Sequence, residues 1–201
     1  MGREFEAKVL LTADEYINIL EKQVQLTICL ASGSYKSDVY YSKYASTEEA
    51  IKNNESLVRI RQEDGKAFLT LKQKAISNGF ENNNEYETLV SDVSVIQKLL
   101  LEAGYSPYFK KYKLSHAILP DTKPSLPGVE VHIELETVEN SKHPEKSTYK
   151  RFYALEIEVV ATDDNISISD EDLATLVKSY FSAFNKTEAD FETRSWRELL
   201  S

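Results

Sequence analysis

Pairs of like charge spaced two residues apart recur along this chain, and they are the residues that could do chemistry. The first set is Glu4-Phe5-Glu6-Ala7-Lys8; Arg59/Arg61, Lys72/Lys74, Glu85/Glu87, Lys111/Lys113, Glu134/Glu136 and Glu156/Glu158 follow. On a β-strand, residues two apart point to the same face. Glu4, Glu6 and Lys8 then share one face, and Phe5, Ala7 and Val9 the other. Later pairs are interleaved with apolar residues in the same way: Val58 and Ile60, Leu69 and Leu71, Ile133 and Leu135, Leu155 and Ile157. Like charges side by side are costly unless a ligand of opposite sign compensates them.

Strands of this kind allow two architectures. The charged face is the wet side of an antiparallel sheet, or the sheet closes and the charges line its interior. Wet faces of ordinary sheets mix Thr, Ser, Lys and Glu without order. Here some strands are acidic and others basic, which favours closure.

The elements that must position these residues read as follows. A strand over about 3–11 ends at Thr12-Ala13-Asp14-Glu15, a capping box that opens a helix to about Val24. Gln25–Ala31 and Asp38–Tyr44 read as strands, and Thr47–Asn53 as a short helix or loop. Ser56–Glu63 and Ala67–Lys74 are strands joined at Asp64-Gly65, a strong hairpin signal. Ala75–Asn84, with Gly79 and three asparagines, reads as a loop. A strand at Glu85–Val90 and a helix at Val93–Ala103, stopped by Gly104, come next. Strands at Tyr108–Ala117, Val129–Val138 and Lys150–Val160 are separated by a proline-rich loop and by the polar segment Asn140–Thr148. Ser169 caps a helix whose Leu173, Leu176, Val177, Tyr180, Phe181 and Phe184 form an apolar stripe suited to core packing. Trp196, Leu199 and Leu200 suit a short last helix. The total is about eight antiparallel strands and three main helices, with no βαβ alternation. Eight strands are about the number that closes a barrel filled by side chains or one small ligand. The expected fold is α+β: a single domain over 1–201, a closed eight-stranded antiparallel barrel with a charged interior and helices outside.

Composition bounds the function. The chain has 201 residues, 41% of them hydrophobic, and a formal net charge of −9. The acidic balance argues against a general nucleic-acid binder, but not against a small anion held in a local basic cluster. No run of about 18 apolar residues suggests a membrane span. The charged N-terminal strand does not read as a signal peptide, and a lone Cys29 fits a reducing compartment. The expected location is cytoplasmic. Cys29 lies in the apolar run Leu26–Leu30 and reads as a core thiol. His116, His132 and His143 show no zinc spacing, and no P-loop, nucleophile elbow or dinucleotide fingerprint is present.

The ordered charge pairs resemble a known family. Glu4-x-Glu6-x-Lys8 resembles the ExExK signature of the CYTH superfamily, the triphosphate tunnel metalloenzymes. Leu57-Val58-Arg59-Ile60-Arg61 looks like that family's LRxR strand, and Leu69-Thr70-Leu71-Lys72 like its LTLK strand. Glu85-Tyr86-Glu87, Lys111-Tyr112-Lys113, Leu135-Glu136-Thr137-Val138 and Leu155-Glu156-Ile157-Glu158 resemble the later segments in order, and Ser195-Trp196 also fits. The family often has a Tyr-x-Asp or YDT segment where this chain has Tyr40-Tyr41-Ser42; Asp38 lies on the same expected face. Lys113 stands for Arg, and Glu136 for Asp.

The resemblance implies a metal-dependent hydrolase of a small triphosphate (inorganic tripolyphosphate, thiamine triphosphate or a nucleoside triphosphate). Two alternatives stay open: a class IV adenylate cyclase making cyclic AMP and pyrophosphate, and a non-catalytic polyphosphate- or nucleotide-binding module. Lys8, Arg59, Arg61, Lys72, Lys74, Lys111 and Lys113 would bind the substrate, the arginines as forks and the lysines as compact charge. Mg²⁺ or Mn²⁺ would be held by Glu4, Glu6, Glu136, Glu156 and Glu158. Glu4, Lys8 and Glu158 are the expected catalytic residues. Glu85 and Glu87 would bind metal or orient the cations, and His132 would be a hydrogen-bonding spectator. The expected partner is the small triphosphate, with no large nucleic acid and no membrane; the family also allows a homodimer.

Overall fold

Every strand of the sheet has a neighbour on both sides, so the sheet has no edge. The computed structural model describes residues 2–25, 33–53, 56–77, 80–120, 124, 126–161 and 168–201. The strands are β1 (Gly2–Leu11), β2 (Ser34–Ser42), β3 (Leu57–Glu63), β4 (Lys66–Ser77), β5 (Phe80–Leu89), β6 (Ser106–Ile118), β7 (Val129–Glu139) and β8 (Arg151–Ala161). They close in the order β1-β5-β4-β3-β2-β6-β7-β8, every pair antiparallel. Two meanders, β2 to β5 and β6 to β8, are joined by a β2–β6 pairing on one side and by β1 on the other. The closed, charged-interior reading of the sequence is the one the chain adopts.

Local chemistry explains the joints. Asp64 and Gly65 both take positive φ, 48° and 75°, which suits a two-residue hairpin between right-twisted strands. Thr12 and Glu15 form the expected capping box, with Glu15 N–H donating to Thr12 Oγ1 at 3.2 Å and Thr12 N–H to Glu15 Oε2 at 2.8 Å. That box starts α1 (Ala13–Gln25). The other helices are α2 (Thr47–Lys52), α3 (Val93–Glu102), α4 (Asp170–Ser182) and α5 (Trp196–Leu200).

Alternation along each strand separates the two faces of the wall. Phe5, Ala7 and Val9 point outward and join Leu155, Ile157 and Val159 beneath α4, whose Leu173, Leu176, Val177 and Phe181 are buried. Truncating one such side chain to Ala costs about 2–5 kcal/mol. A smaller cluster of Tyr41, Val58 and Ile60 lies beneath Val93, Ile96 and Leu100 of α3. The charged residues are left for the interior.

Two expectations need correction. Ala75–Asn84 is not a loop: β4 runs to Ser77 and β5 starts at Phe80, with Gln73↔Asn84, Lys74↔Asn83 and Ala75↔Asn82 in register. Asn is a poor strand former by itself, but these residues pair with β1 on their other side, Glu4↔Asn83 among them. Two-sided pairing overrides propensity. β2 also begins at Ser34 rather than Asp38, because its pairing to β6 extends to Ser34↔Ser115. Of the expected strand Gln25–Ala31, Gln25 ends α1, and the remainder, Cys29 included, lies outside the described residues.

Candidate functional site

The barrel encloses a cavity of about 380 Å³. One part of its wall is basic. Asp38 of β2 is 1% exposed and sits among three cations of two other strands. Arg61 donates to it through Nε at 2.8 Å and Nη2 at 3.1 Å, Lys111 Nζ lies at 3.5 Å, and Arg59 Nη1 at 4.0 Å. Burial alone would raise the Asp38 pKa, but Arg61, Arg59 and Lys111 outweigh it and hold the carboxyl well below the usual range. Arg59 is held from its other side by Glu85 at 2.9 Å and donates to Thr70 Oγ1 at 3.1 Å, while Thr70 donates to Glu87 at 2.8 Å. Glu85 and Glu87 therefore orient the guanidinium. Lys111 is buried beside Lys113, and both effects push its pKa down to about 7.

The carboxylates form two trios. Glu4, Glu6 and Glu158 each bring an oxygen within 4.8 Å of the others. Lys72 Nζ lies 3.2 Å from both Glu4 and Glu6. Even so, burial, a hydrogen bond with Glu85 and the nearby Glu158 push Glu4 up to about 10. Burial and Glu81 push Glu6 up to about 8 against the pull of Lys72. Glu4 Oε2 is the buried oxygen that faces Lys72 Nζ. Three converging oxygens and more negative charge than one lysine offsets fit a hard divalent cation, which takes oxygen ligands at about 2.0–2.1 Å in the case of Mg²⁺. Glu4, Glu6 and Glu158 are the residues that would hold it.

Glu134, Glu136 and Glu156 make the second trio, again within 4.8 Å. Lysines already occupy this one. Lys113 Nζ donates to Glu136 at 2.6 Å and to Glu156 at 2.7 Å, and Lys36 Nζ donates to Glu134 at 2.5 Å. Burial would raise Glu134, but Lys36 and Lys113 hold it down at about 2. Glu156 is held well below the carboxylate range by Lys113 and Lys111 despite burial. Fully buried Glu136 is pushed well up, with Glu156 beside it.

The structure thus brings Lys8, Arg59, Arg61, Lys72, Lys111 and Lys113 to one cavity; the Lys74 side chain lies outside the described residues. The five expected metal carboxylates divide rather than converge, Glu136 and Glu156 lying with Glu134 instead of Glu4. The register explains this: His132, not Glu136, is opposite Glu158, while Glu136 is opposite Ala154. His132 Nδ1 lies 3.3 Å from Glu158 Oε2 at the half-exposed rim. His143 lies in an exposed loop beside Glu145.

Sequence reasoning missed Lys36, which fell before the expected start of β2, and Glu81 and Asn83, which fell in the expected loop. Glu81 is 3.7 Å from Lys8. Asn83 is fully buried, and neither amide atom has a partner among the described residues. Two-residue spacing could have found all three, since Lys36 precedes Asp38 by two, and Glu81 and Asn83 continue the series Glu85, Glu87. Ser42 is buried at the end of β2, where its Oγ accepts from Tyr44 N–H at 2.8 Å. Asp38, not Ser42, supplies the carboxylate of this strand that meets Arg59, Arg61 and Lys111.

Residues 2–188 match the family model described as the CYTH domain. The chain belongs to the CYTH family. Solved structures repeat the fold of this CYTH chain over almost its whole length. The PH1012 protein of Pyrococcus horikoshii OT3 is 20% identical with a TM-score of 0.66, the match covering 98% of this chain and 99% of that one. HpAC1 of Hippeastrum, named an adenylyl cyclase and described as having a dominant triphosphatase activity, is 15% identical with a TM-score of 0.51. That match covers 96% of this chain and 91% of the Hippeastrum chain. The triphosphatase of the Mimivirus capping enzyme is 8% identical with a TM-score of 0.50, over 92% of this chain and 90% of that one. At these identities the likeness is one of fold. No curated protein matches the chain. Among the described residues no helix is long and apolar enough to cross a membrane.

Proposed function

We propose that this chain is a metal-dependent hydrolase of a small triphosphate, built as one tunnel domain over 1–201 and acting in the cytoplasm. The observation that carries the reading is the meeting, in one cavity, of six cations from four strands with the undercompensated trio Glu4, Glu6 and Glu158. A pure anion binder would have no use for that trio.

Phosphoryl transfer needs positioning and charge neutralisation more than covalent chemistry. Arg59 and Arg61 present forked donors to non-bridging phosphate oxygens, their planes fixed by Glu85 and Asp38. Lys72, Lys111 and Lys113 add charge along the chain of phosphates, with Lys74 as a further contributor. The approach of a polyanion favours the protonated form of Lys111, whose low pKa burial and Lys113 create. Mg²⁺ or Mn²⁺ on Glu4, Glu6 and Glu158 would neutralise phosphate charge and make a bound water more acidic. Glu158 or Glu4 orients the attacking water and takes its proton. The water oxygen bonds to the terminal phosphorus as the bridging P–O bond breaks, and Lys8 neutralises charge on the departing oxygen. Glu136 and Glu156 act through Lys113, holding it in the wall.

The test is product analysis with Mg²⁺ or Mn²⁺ and three substrates: tripolyphosphate, thiamine triphosphate and ATP. Orthophosphate, abolished by EDTA, is the expected result. Cyclic AMP and pyrophosphate from ATP would replace this reading by a cyclase. Tight triphosphate binding with no product would replace it by a binding module.

A further inference from the structure

Three consecutive asparagines of β5 meet three environments. Asn84 is exposed, and Asn82 faces outward, donating through Nδ2 to Asp170 of α4 at 3.4 Å. Asn83 faces inward. Glu81, Glu85 and Glu87, two and four residues away from it, line the cavity, and residues two apart on a strand share a face. Of the inward positions 81, 83, 85 and 87, only Asn83 is uncharged.

The register sets Asn83 directly opposite Glu4 of β1, with Glu6 opposite Glu81 beside it. Side chains opposite one another on one face have Cβ atoms about 4.5–5.5 Å apart. On the other flank, Lys72 of β4 is opposite Glu85 and reaches Glu4 and Glu6 at 3.2 Å. Asn83 therefore lies against the Glu4–Glu6 side of the undercompensated trio. It is 0% exposed, and both Oδ1 and Nδ2 are buried without a hydrogen-bond partner among the described residues. A buried amide left unpaired destabilises the fold, whereas an apolar side chain of the same size would not. A carboxylate at this position would add charge that Lys72 does not offset. An amide brings an acceptor and two donors without charge, which suits the rim of a divalent cation. Such a cation keeps several waters that can donate to Oδ1, and its carboxylate ligands can accept from Nδ2.

We infer that Asn83 is a positioning residue of the cation site: its Oδ1 accepts a hydrogen bond from a water on the cation, and its Nδ2 donates to the Glu4 carboxylate. This rests on the metal-dependent reading above and adds to it the group that orients one ligand. The amide is unpaired while the site is empty and paired once the cation is bound, so its role is seen in metal affinity rather than in the stability of the metal-free fold. Removing a group that orients a metal's ligands lowers affinity about 10–100-fold.

The experiment is calorimetric titration of Mn²⁺ without triphosphate, together with melting curves in EDTA, on wild type, Asn83→Leu and Asn83→Asp. Asn83→Leu keeps the volume and removes both unpaired groups. It should melt no lower than wild type in EDTA, yet bind Mn²⁺ about tenfold or more weakly. Asn83→Asp sets a further carboxylate opposite Glu4. It should melt below wild type in EDTA, recover that loss when Mn²⁺ is added, and bind Mn²⁺ at least as tightly as wild type. An Asn83→Leu variant that binds Mn²⁺ within about twofold of wild type, whatever its melting temperature, would overturn the inference in favour of an amide that serves only the wall. If Asn83→Leu does not fold, Asn83→Asp decides: weaker Mn²⁺ binding than wild type overturns the inference, and equal or tighter binding sustains it. Failure of wild type to bind Mn²⁺ at all would instead remove the cation site, and with it the metal-dependent reading itself.

Discussion

The two glutamate trios inside this barrel have the same side-chain chemistry and different company. Glu134, Glu136 and Glu156 are bridged by Lys113 and Lys36 at 2.5–2.7 Å. Glu4 and Glu6 share Lys72 at 3.2 Å, while Glu158 meets His132 at 3.3 Å. The titration directions follow. Glu134 and Glu156 are held ionised, whereas Glu4 and Glu6 rise to about 10 and about 8. The difference teaches that a carboxylate cluster is not by itself a metal site. A lysine placed between the oxygens turns one trio into a structural clamp, and the shortage of such charge leaves the other ready for a cation.

The comparison predicts opposite responses to substitution. Lys113→Met leaves Glu136 and Glu156 buried without their counter-charge, and loss of one partner from a buried pair costs about 3–5 kcal/mol. Urea unfolding should show that loss, and Lys113→Met combined with Glu136→Gln should recover part of it. A Lys113→Met variant unfolding within about 0.5 kcal/mol of wild type, as a surface change would, would break the distinction between the trios.

A smaller effect is the pH dependence of the metal-free protein. Above pH 4.5, the ordinary glutamate value, the unfolded chain releases protons that folded Glu4 and Glu6 retain. Stability therefore falls as pH rises. Lys111, lowered to about 7, binds fewer protons folded than unfolded above neutrality and works in the opposite direction there. The fall should thus be seen between about pH 5 and 7, and melting curves in EDTA over that range will show it. Glu6→Gln should flatten the curve, and Glu134→Gln should not.

Much of this arrangement was legible in the sequence. Spacing by two placed Glu4, Glu6, Lys8, Arg59, Arg61, Lys72, Lys111 and Lys113 on inner faces, because strand alternation is a local property. Asp64-Gly65 and the Thr12–Glu15 box were equally local. What was hidden depends on partners distant in sequence. Asn82, Asn83 and Asn84 read as a loop because their strand is stabilised by β1, nearly eighty residues earlier in the chain. The division of the carboxylates into two trios follows from the β7–β8 register, which no single strand encodes. Arg197 lay in a segment noted for Ser195-Trp196 and for its apolar residues, and its place at the cavity depends on where α5 docks.

The most direct test of the account is calorimetric titration of Mn²⁺ into wild type, Glu6→Gln and Glu134→Gln without triphosphate. Glu6→Gln should lose about tenfold or more in affinity, as expected when one of three carboxylate ligands is removed, while Glu134→Gln binds within about threefold of wild type. Loss of Mn²⁺ binding in Glu134→Gln with Glu6→Gln unaffected would contradict the account and move the cation to the lysine-bridged trio.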